Sequence, residues 1–357
     1  MKDRERTDKE LLEEIPGRLL KWYDSCRRVL PWREDPTPYR VWVSEIMLQQ
    51  TRVEAVKPYY ERFLSQLPTV TKLAEAPEEQ LLKLWEGLGY YNRVRNLQKG
   101  AQQVVKEYGG EIPASFEKLR TLPGIGEYTA GAIASIAFGI PVPAVDGNVL
   151  RVFSRLLARE DDILDPKVKK RMGQEISTLI PRDRAGDFNQ SLMELGATVC
   201  LPNGTPKCEE CPLREICRAH LLGTEADLPK KAAKKARKRE ERTLFLLTCG
   251  GKIALCKRPE KGLLAGMWEL PGITGKLGEK EAAEQVQSWG LQAIKLEKLP
   301  AAKHIFTHVE WHMTGWAGEV REEASGFRWA DGEELAEKIT LPSAFRAYFP
   351  EMKKRLM

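Results

Sequence analysis

The sequence predicts a mostly α N-terminal domain followed by an α+β C-terminal domain. Three observations carry that prediction. Apolar residues recur at helical spacing through roughly the first 225 residues, a basic run breaks the pattern near Lys230, and apolar, β-rich segments flanking a glycine pair follow it.

A chain of 357 residues suits about two domains, because single cores stop growing well below that length. Its 42% hydrophobic content is globular. The net charge of +6, from 57 basic and 51 acidic side chains, fits a polyanionic partner without requiring one. No apolar core follows MKDRERTDKE, so a secretory signal is not expected. The most apolar stretch, Ala130 to Val145, is too short to cross a bilayer and contains Pro141 and Pro143. Neither membrane nor export is expected, and in the cytosol the seven cysteines stay reduced, so a cluster of them points to metal rather than disulfides.

The first helices follow from Val43, Ile46, Met47, Val53, Tyr60 and Phe63, and Leu81, Leu82, Leu84 and Trp85 begin another apolar face. Glu45 lies inside Val41-Trp42-Val43-Ser44-Glu45-Ile46-Met47-Leu48. If its neighbours face a core, burial raises its pKa as a general acid requires; the alternative is the exposed stripe of an amphipathic helix. Leu122-Pro123-Gly124-Ile125-Gly126-Glu127-Tyr128-Thr129-Ala130 joins two helical runs. Its glycines let backbone approach a phosphate at a helix N-terminus, although a simple inter-helix turn has the same composition. Asp146 opens the helical run Asp146-Gly147-Asn148-Val149-Leu150-Arg151-Val152, where an N-cap explains it without chemistry. Capping is compatible with catalysis, since a carboxylate held by backbone amides stays ionised at low pH. Residues 1 to 219 contain no histidine, which excludes histidine acid-base catalysis and histidine-ligated catalytic metals there.

Cys200, Cys208, Cys211 and Cys217 follow the spacing C-x7-C-x2-C-x5-C. Four thiolates so close can surround a zinc ion or an iron-sulfur cluster, and the single tight pair favours 4Fe-4S. The run Lys230-Lys231-Ala-Ala-Lys234-Lys235-Ala-Arg237-Lys238-Arg239 reads as a solvated linker over 229–241, with a DNA-grazing linker as the alternative. Thr243 to Cys249 and Ile253 to Cys256 then flank Gly250-Gly251 as a hairpin, which starts a second domain over 242–357.

With Leu30-Pro31-Trp32-Arg33, Val41 to Thr51, Trp85 to Tyr91, the glycine hairpin, Val145 to Val149, Glu194-Leu195-Gly196-Ala197 and the four cysteines, the chain resembles the endonuclease III superfamily of helix-hairpin-helix DNA glycosylases. Within it, the resemblance is to the MutY-type adenine glycosylases and runs from about Trp22 to Pro350. It implies a catalytic domain over 1–228 with two helical lobes. One is 31–140 with the hairpin; the other is 1–30 plus 141–228, carrying a 4Fe-4S cluster on Cys200, Cys208, Cys211 and Cys217. Glu45 would protonate adenine N7, and Asp146 would stabilise the oxocarbenium ion or briefly bond to it, as in two-carboxylate glycoside hydrolysis. Tyr128 and Asn148 would orient these groups and the water. Arg28, Leu48 and Gln190 would line the adenine pocket, while Gln50 and Tyr90 wedge into the vacated stack. Arg33, Thr51, Gly124 and Gly126 complete the DNA-binding set. Tyr128 stands where bifunctional relatives carry a Schiff-base lysine, so strong lyase activity is not expected.

The second domain resembles the MutT-related (Nudix-like) domain of the same family through Arg258-Pro259, Leu263 to Gly272 and His304-Ile305-Phe306-Thr307-His308. The acidic metal-binding helix of Nudix hydrolases is missing after Gly272, with Glu281-Ala282-Ala283-Glu284-Gln285 the nearest stretch. The resemblance therefore implies recognition of 8-oxoguanine through Phe306, Thr307 and His308 rather than nucleotide hydrolysis. His304, His308 and His312 would share one strand face. The implied partner is double-stranded DNA with A:8-oxoG or A:G mispairs, met by a monomer in the bacterial cytosol or nucleoid. Two departures stand out. Seven residues separate the first cysteines where six is usual, so that loop should bulge, and Thr307 replaces a common serine. The rival readings are a thymine or uracil mismatch glycosylase and a catalytically idle DNA-binding module.

Overall fold

Several helix starts are written into single residues. Thr7 accepts from Glu10 N–H while the Glu10 carboxylate accepts from Thr7 N–H, a reciprocal cap that begins α1 (Asp8–Cys26). α2 (Pro31–Glu34) and α3 (Pro38–Leu48) both place proline where a free N–H is unnecessary, and Thr37 caps α3. The computed structural model describes all residues except 1–6, 233–235 and 357. Next come α4 (Val53–Gln66), α5 (Val70–Glu75), α6 (Glu78–Leu84), α7 (Asn92–Tyr108), α8 (Phe116–Leu119) and α9 (Glu127–Phe138). α10 (Gly147–Leu156), α11 (Pro166–Ser177), α12 (Ala185–Thr198) and the short α13 (Arg218–Leu222) complete the helical part.

Two units emerge from the packing, Met1–Glu75 with Arg95–Ala233, and Ala76–Val94 with Lys234–Met357. In the first, one core gathers Leu11, Ile15 and Leu19 of α1 with Val149 and Phe153 of α10, Met172 of α11 and Phe188, Leu192 and Leu195 of α12. The N-terminal helix thus packs with chain beyond residue 140. α3 packs instead on α4 and α9. Gly131 of α9 permits a close crossing, since a Cβ there would lie 2.1 Å from the Pro143 carbonyl oxygen.

The second unit is built on a mixed sheet. β1 (Lys238–Cys249) and β2 (Lys252–Lys257) form the expected hairpin, with Cys249 opposite Lys252 and positive φ at both Gly250 and Gly251, the turn that glycine pairs favour. β3 (Trp268–Glu269), β4 (Gly272–Thr274), β5 (Glu297–Ile305), β6 (Val309–Glu319) and β7 (Arg328–Ala330) complete it in the order β3-β2-β1-β6-β5, with β4 on β1 and β7 on β2. Alternate residues of β1 enter opposite cores: Leu244 and Leu246 meet Trp311 and Phe345, while Phe245 and Leu247 meet Val286 of α14 (Glu279–Ser288). α15 (Gly332–Glu337) and α16 (Phe349–Leu356) follow β7.

Three sequence expectations change. The stretch read as linker to residue 241 already belongs to β1 from Lys238, whose backbone pairs in parallel with β6 from Val309 onward. Charged side chains do not end the strand there, because the ladder uses only backbone groups. Residues 76–94, placed by sequence inside the 31–140 lobe, pack with the second unit instead. Lys83 Nζ donates to the Leu335 and Ile339 carbonyls, and Leu341 N–H donates to Glu86. Finally, His304 and His312 do not share one strand face. β5 turns back through Phe306–His308 into β6, and the register pairs His304 with Trp311 and Lys303 with His312, which puts the two imidazoles on opposite faces. His312 Nε2 lies 2.6 Å from Glu310, and His304 packs edge-on against Phe306.

Candidate active site

Glu45 occupies the middle of α3 and is 6% exposed, surrounded in sequence by the buried Val41, Trp42, Val43, Ile46 and Met47. The exposed-stripe alternative is therefore excluded. Its carboxyl lines a cavity of about 970 Å³ and accepts a hydrogen bond of 2.6 Å from Tyr128 Oη. Burial pushes its pKa up to about 7, and Asp146 adds to the rise against the opposing pull of Tyr128 and Arg33. Such a group carries a transferable proton near neutrality.

Asp146 lines the same cavity as the N-cap of α10. Oδ1 accepts from Asn148 N–H (2.9 Å) and Val149 N–H (2.8 Å), and Oδ2 accepts from Asn148 Nδ2 (2.6 Å). The expectation that these bonds keep it ionised at low pH is corrected: burial outweighs them and raises its pKa from the ordinary aspartate value. Asn148 is held in turn by Arg151 Nη2 (2.9 Å), whose guanidinium also donates to the carbonyls of Gly196 and Cys200. Gly196 is required at this crossing, because a Cβ there would sit 2.5 Å from Asn148 Cβ.

The remaining cavity walls collect many of the sequence candidates. Arg28, Arg33, Leu48, Gln50, Thr51, Asn148 and Gln190 line it with Glu45, Tyr128 and Asp146. Gln50 has φ +58°, an uncommon conformation for a residue with a side chain, at the bend after α3. Sequence reasoning gave Glu194 no individual role, yet it is 1% exposed and receives both Arg28 and Arg33. Its spacing of four from Gln190 on one helix face was the available signal. Met193, whose sulfur lies 3.6 Å from Tyr128 Oη, and Arg151 were also missed.

Other candidates lie elsewhere. Tyr90, Gly124, Gly126, Phe306, Thr307 and His308 do not line this cavity. Gly124 has φ +78°, and a Cβ there would lie 2.8 Å from Asn96 Cβ. Gly126 precedes α9 with open space around it, and no side chain caps that helix, which leaves its first amides available to an anion. In the second unit Tyr90, 50% exposed with φ +48°, places its hydroxyl 3.2 Å from Thr307 Oγ1. Two candidates separated by 217 residues therefore touch, at the exposed turn between β5 and β6.

Cys200, Cys208, Cys211 and Cys217 line one cavity together with Arg155 and Leu195. Burial pushes Cys211 up to about 12 and Cys217 up to about 11, so any soft metal centre held there must displace thiol protons. Arg155 Nη1 donates to Cys200 Sγ (3.3 Å), and Cys208 Sγ lies near Glu225, which is 2.6 Å from His220. Convergence of four free thiols on one space fits a four-thiolate centre. The long first gap is absorbed locally, since Lys207 N–H donates to the Val199 carbonyl (2.9 Å) and closes the neck of the loop. In the second unit, Glu281 of α14 accepts from Gly278 N–H and thus serves as a helix cap.

Known proteins resemble both parts. Residues 43–178 match the HhH-GPD superfamily base excision DNA repair protein family, and residues 243–351 match the NUDIX domain. An adenine DNA glycosylase of Rattus norvegicus is 38% identical over 92% of this chain and 77% of its own, and one of Buchnera aphidicola subsp. Acyrthosiphon pisum is 33% identical over 83% of each. Among solved structures, a thermostable thymine-DNA glycosylase superposes with a TM-score of 0.54 at 28% identity, covering 60% of this chain and 98% of its own. A non-covalent endonuclease III-DNA complex gives 0.51 at 25% identity, covering 59% and 97%. Among the described residues, no helix is long and apolar enough to cross a membrane.

Proposed function

The chain belongs to the adenine DNA glycosylases, N-glycosylases of base excision repair, and we propose that it removes adenine opposite 8-oxoguanine through the cavity that joins Glu45 to Asp146. The observation that carries this reading is a buried carboxyl with a pKa near 7 facing a second carboxyl in a space large enough for a base. Glu45, held by Tyr128, delivers its proton to N7 of the flipped adenine, so the base departs neutral. Asp146, the N-cap of α10, faces in its carboxylate form the cation that develops on the sugar. Asn148 fixes its orientation through Oδ2. Tyr128 occupies the first turn of α9 where a lysine nucleophile would produce strand cleavage, which supports a monofunctional enzyme.

The cysteine cavity would hold a 4Fe-4S cluster on Cys200, Cys208, Cys211 and Cys217. When bound, such a cluster supplies a covalent clasp for the loop and a one-electron couple. Discrimination for 8-oxoguanine falls to the β5–β6 turn, where exposed Thr307 and His308 follow the Phe306 ring packed on Trp311, with Tyr90 beside Thr307.

Single-turnover excision of adenine opposite 8-oxoguanine tests the reading. Glu45→Gln keeps the shape and loses the proton, so the rate should fall at least about 100-fold while DNA binding is retained. Near-normal turnover would remove Glu45 from the chemistry, and release of thymine rather than adenine would transfer the protein to the mismatch class.

A further inference from the structure

Tyr128 Oη lies within hydrogen-bond reach of two acceptors, Glu45 Oε2 at 2.6 Å and Met193 Sδ at 3.6 Å. Among the described residues no other protein atom bonds to this hydroxyl. Met193 belongs to α12 and lines the cavity. The phenol keeps its hydrogen at neutral pH, because burial, Glu45 and Asp146 together hold its pKa well above the ordinary value. One hydrogen cannot serve two acceptors at once, so its direction depends on what Glu45 carries.

An acid must exist in two forms, before and after it gives up its proton. Once ionised, Glu45 can only accept, and the Tyr128 hydrogen turns to Oε2 as the stronger partner. While Glu45 holds its proton on Oε2, that O–H donates to Tyr128 Oη, and the phenol hydrogen must point elsewhere. Met193 Sδ is the remaining protein acceptor. A thioether suits the task because it accepts weakly. A carboxylate or carbonyl there would keep the phenol hydrogen permanently, and a hydrocarbon would leave it unpaired against the protonated acid. Arg28, Arg33, Arg52, Glu54, Asp146 and Glu194 are the charged groups that share this cavity with Glu45. Asp146 favours the proton on Glu45 and Arg33 opposes it, and none of the six bonds to Tyr128 Oη.

We propose that Met193 is a positioning residue for the acid: its sulfur takes the Tyr128 hydrogen while Glu45 holds a proton on Oε2, and yields it to Glu45 once that proton has gone. The inference rests on the reading of Glu45 as the acid. No bond to hydrogen breaks at Tyr128; its O–H only turns about the C–O bond.

The test is Met193→Leu, a volume-conserving change that removes the acceptor. Two measurements should move in opposite directions with pH. Single-turnover excision of adenine at subsaturating enzyme follows the acid of the free protein, and its alkaline limb should move down by roughly half a pH unit. The wild type then outpaces the variant about threefold at pH 8 and by little at pH 6. Urea melts read the same proton through stability. Glu45 binds its proton more tightly in the fold than in the unfolded chain, a contribution complete below about pH 4.5 and lost as pH rises through about 7. Weaker proton binding should therefore destabilise the variant most at pH 5 and least at pH 8, relative to the wild type. Met193→Gln restores an acceptor at similar length and should return the alkaline limb toward the wild type. Losses of rate and stability in Met193→Leu that do not change with pH would mean that Met193 only fills space, and a limb in Met193→Gln that stays with Met193→Leu would mean that no acceptor acts there; either result overturns the inference. A wild type without an alkaline limb near pH 7 would instead remove Glu45 as the titrating acid and overturn the reading beneath it.

Discussion

Glu45 makes catalysis and stability pull in opposite directions. Its pKa of about 7 in the fold lies above the ordinary 4.5, so the folded state binds the proton more tightly than the unfolded chain. That contribution is complete below about pH 4.5 and is lost as pH rises through about 7, where the cavity must house an ionised carboxylate. Glu45→Gln does not titrate. Urea melts of the variant and the wild type should therefore diverge between pH 5 and pH 8 in favour of the variant, by about 3 kcal/mol. Parallel melts at both pH values would mean that burial does not set this proton. Asp146 allows cap and chemistry to be separated. Asn is as good an N-cap as Asp, so Asp146→Asn should melt close to the wild type yet lose excision, whereas Asp146→Ala should also lose about 1 kcal/mol of stability. Both carboxylates were legible because each sits in a short pattern of its own, apolar neighbours for Glu45 and a helix start for Asp146. The direction of the Asp146 shift was not, since it depends on how deeply the whole fold encloses the group. Glu194 was hidden for the same reason: its partners lie 161 and 166 residues away.

At the scale of elements, helix crossings and turns decide what the residues can do. Gly196 lets α12 approach Asn148, and Asn148 holds Asp146. Gly196→Ala should cost about 1 to 3 kcal/mol in stability through overpacking and should also lower excision, because its methyl group displaces Asn148. A stable variant with unchanged single-turnover rate would show that the crossing can relax without moving the site. The cysteine loop was legible from spacing alone, and protein purified without chelator should carry about four irons per chain; stoichiometric zinc without iron would replace the cluster assignment. The β1–β2 hairpin was equally plain, since two glycines between apolar runs specify a two-residue turn. The histidine strand was misread because three histidines at intervals of four have the parity of one face, and nothing in that parity marks the reversal at Phe306–His308.

For the whole molecule, two domains were legible from the change of hydrophobic period, but their membership was not. Residues 76–94 look helical and lie amid helical chain, and only tertiary contacts assign them to the second unit. Removal of residues 230–357 should therefore do more than remove a reader of the opposite base. It leaves Lys83, Glu86 and Tyr90 without Leu335, Leu341 and Thr307. The truncated protein should excise adenine opposite guanine slowly and show reduced preference for 8-oxoguanine, with a lower melting temperature. Thr307→Ala, which keeps the unit intact, should reduce the same preference by no more than about 1 to 3 kcal/mol. If both proteins discriminate as well as the full chain, the second unit is not the reader.

The interrupted membership of residues 76–94 also sets a schedule for biosynthesis. At about 5 to 20 residues per second, a ribosome makes Lys83, Glu86 and Tyr90 roughly 10 to 50 s before their partners 217 to 256 residues downstream exist. During that interval the segment is an unfinished surface on a nascent chain, open to chaperones and proteases. Chains stalled near residue 260 should be clipped in this segment by a limiting protease that spares it in the released protein. Equal protection in both would mean that the segment finds its fold without waiting.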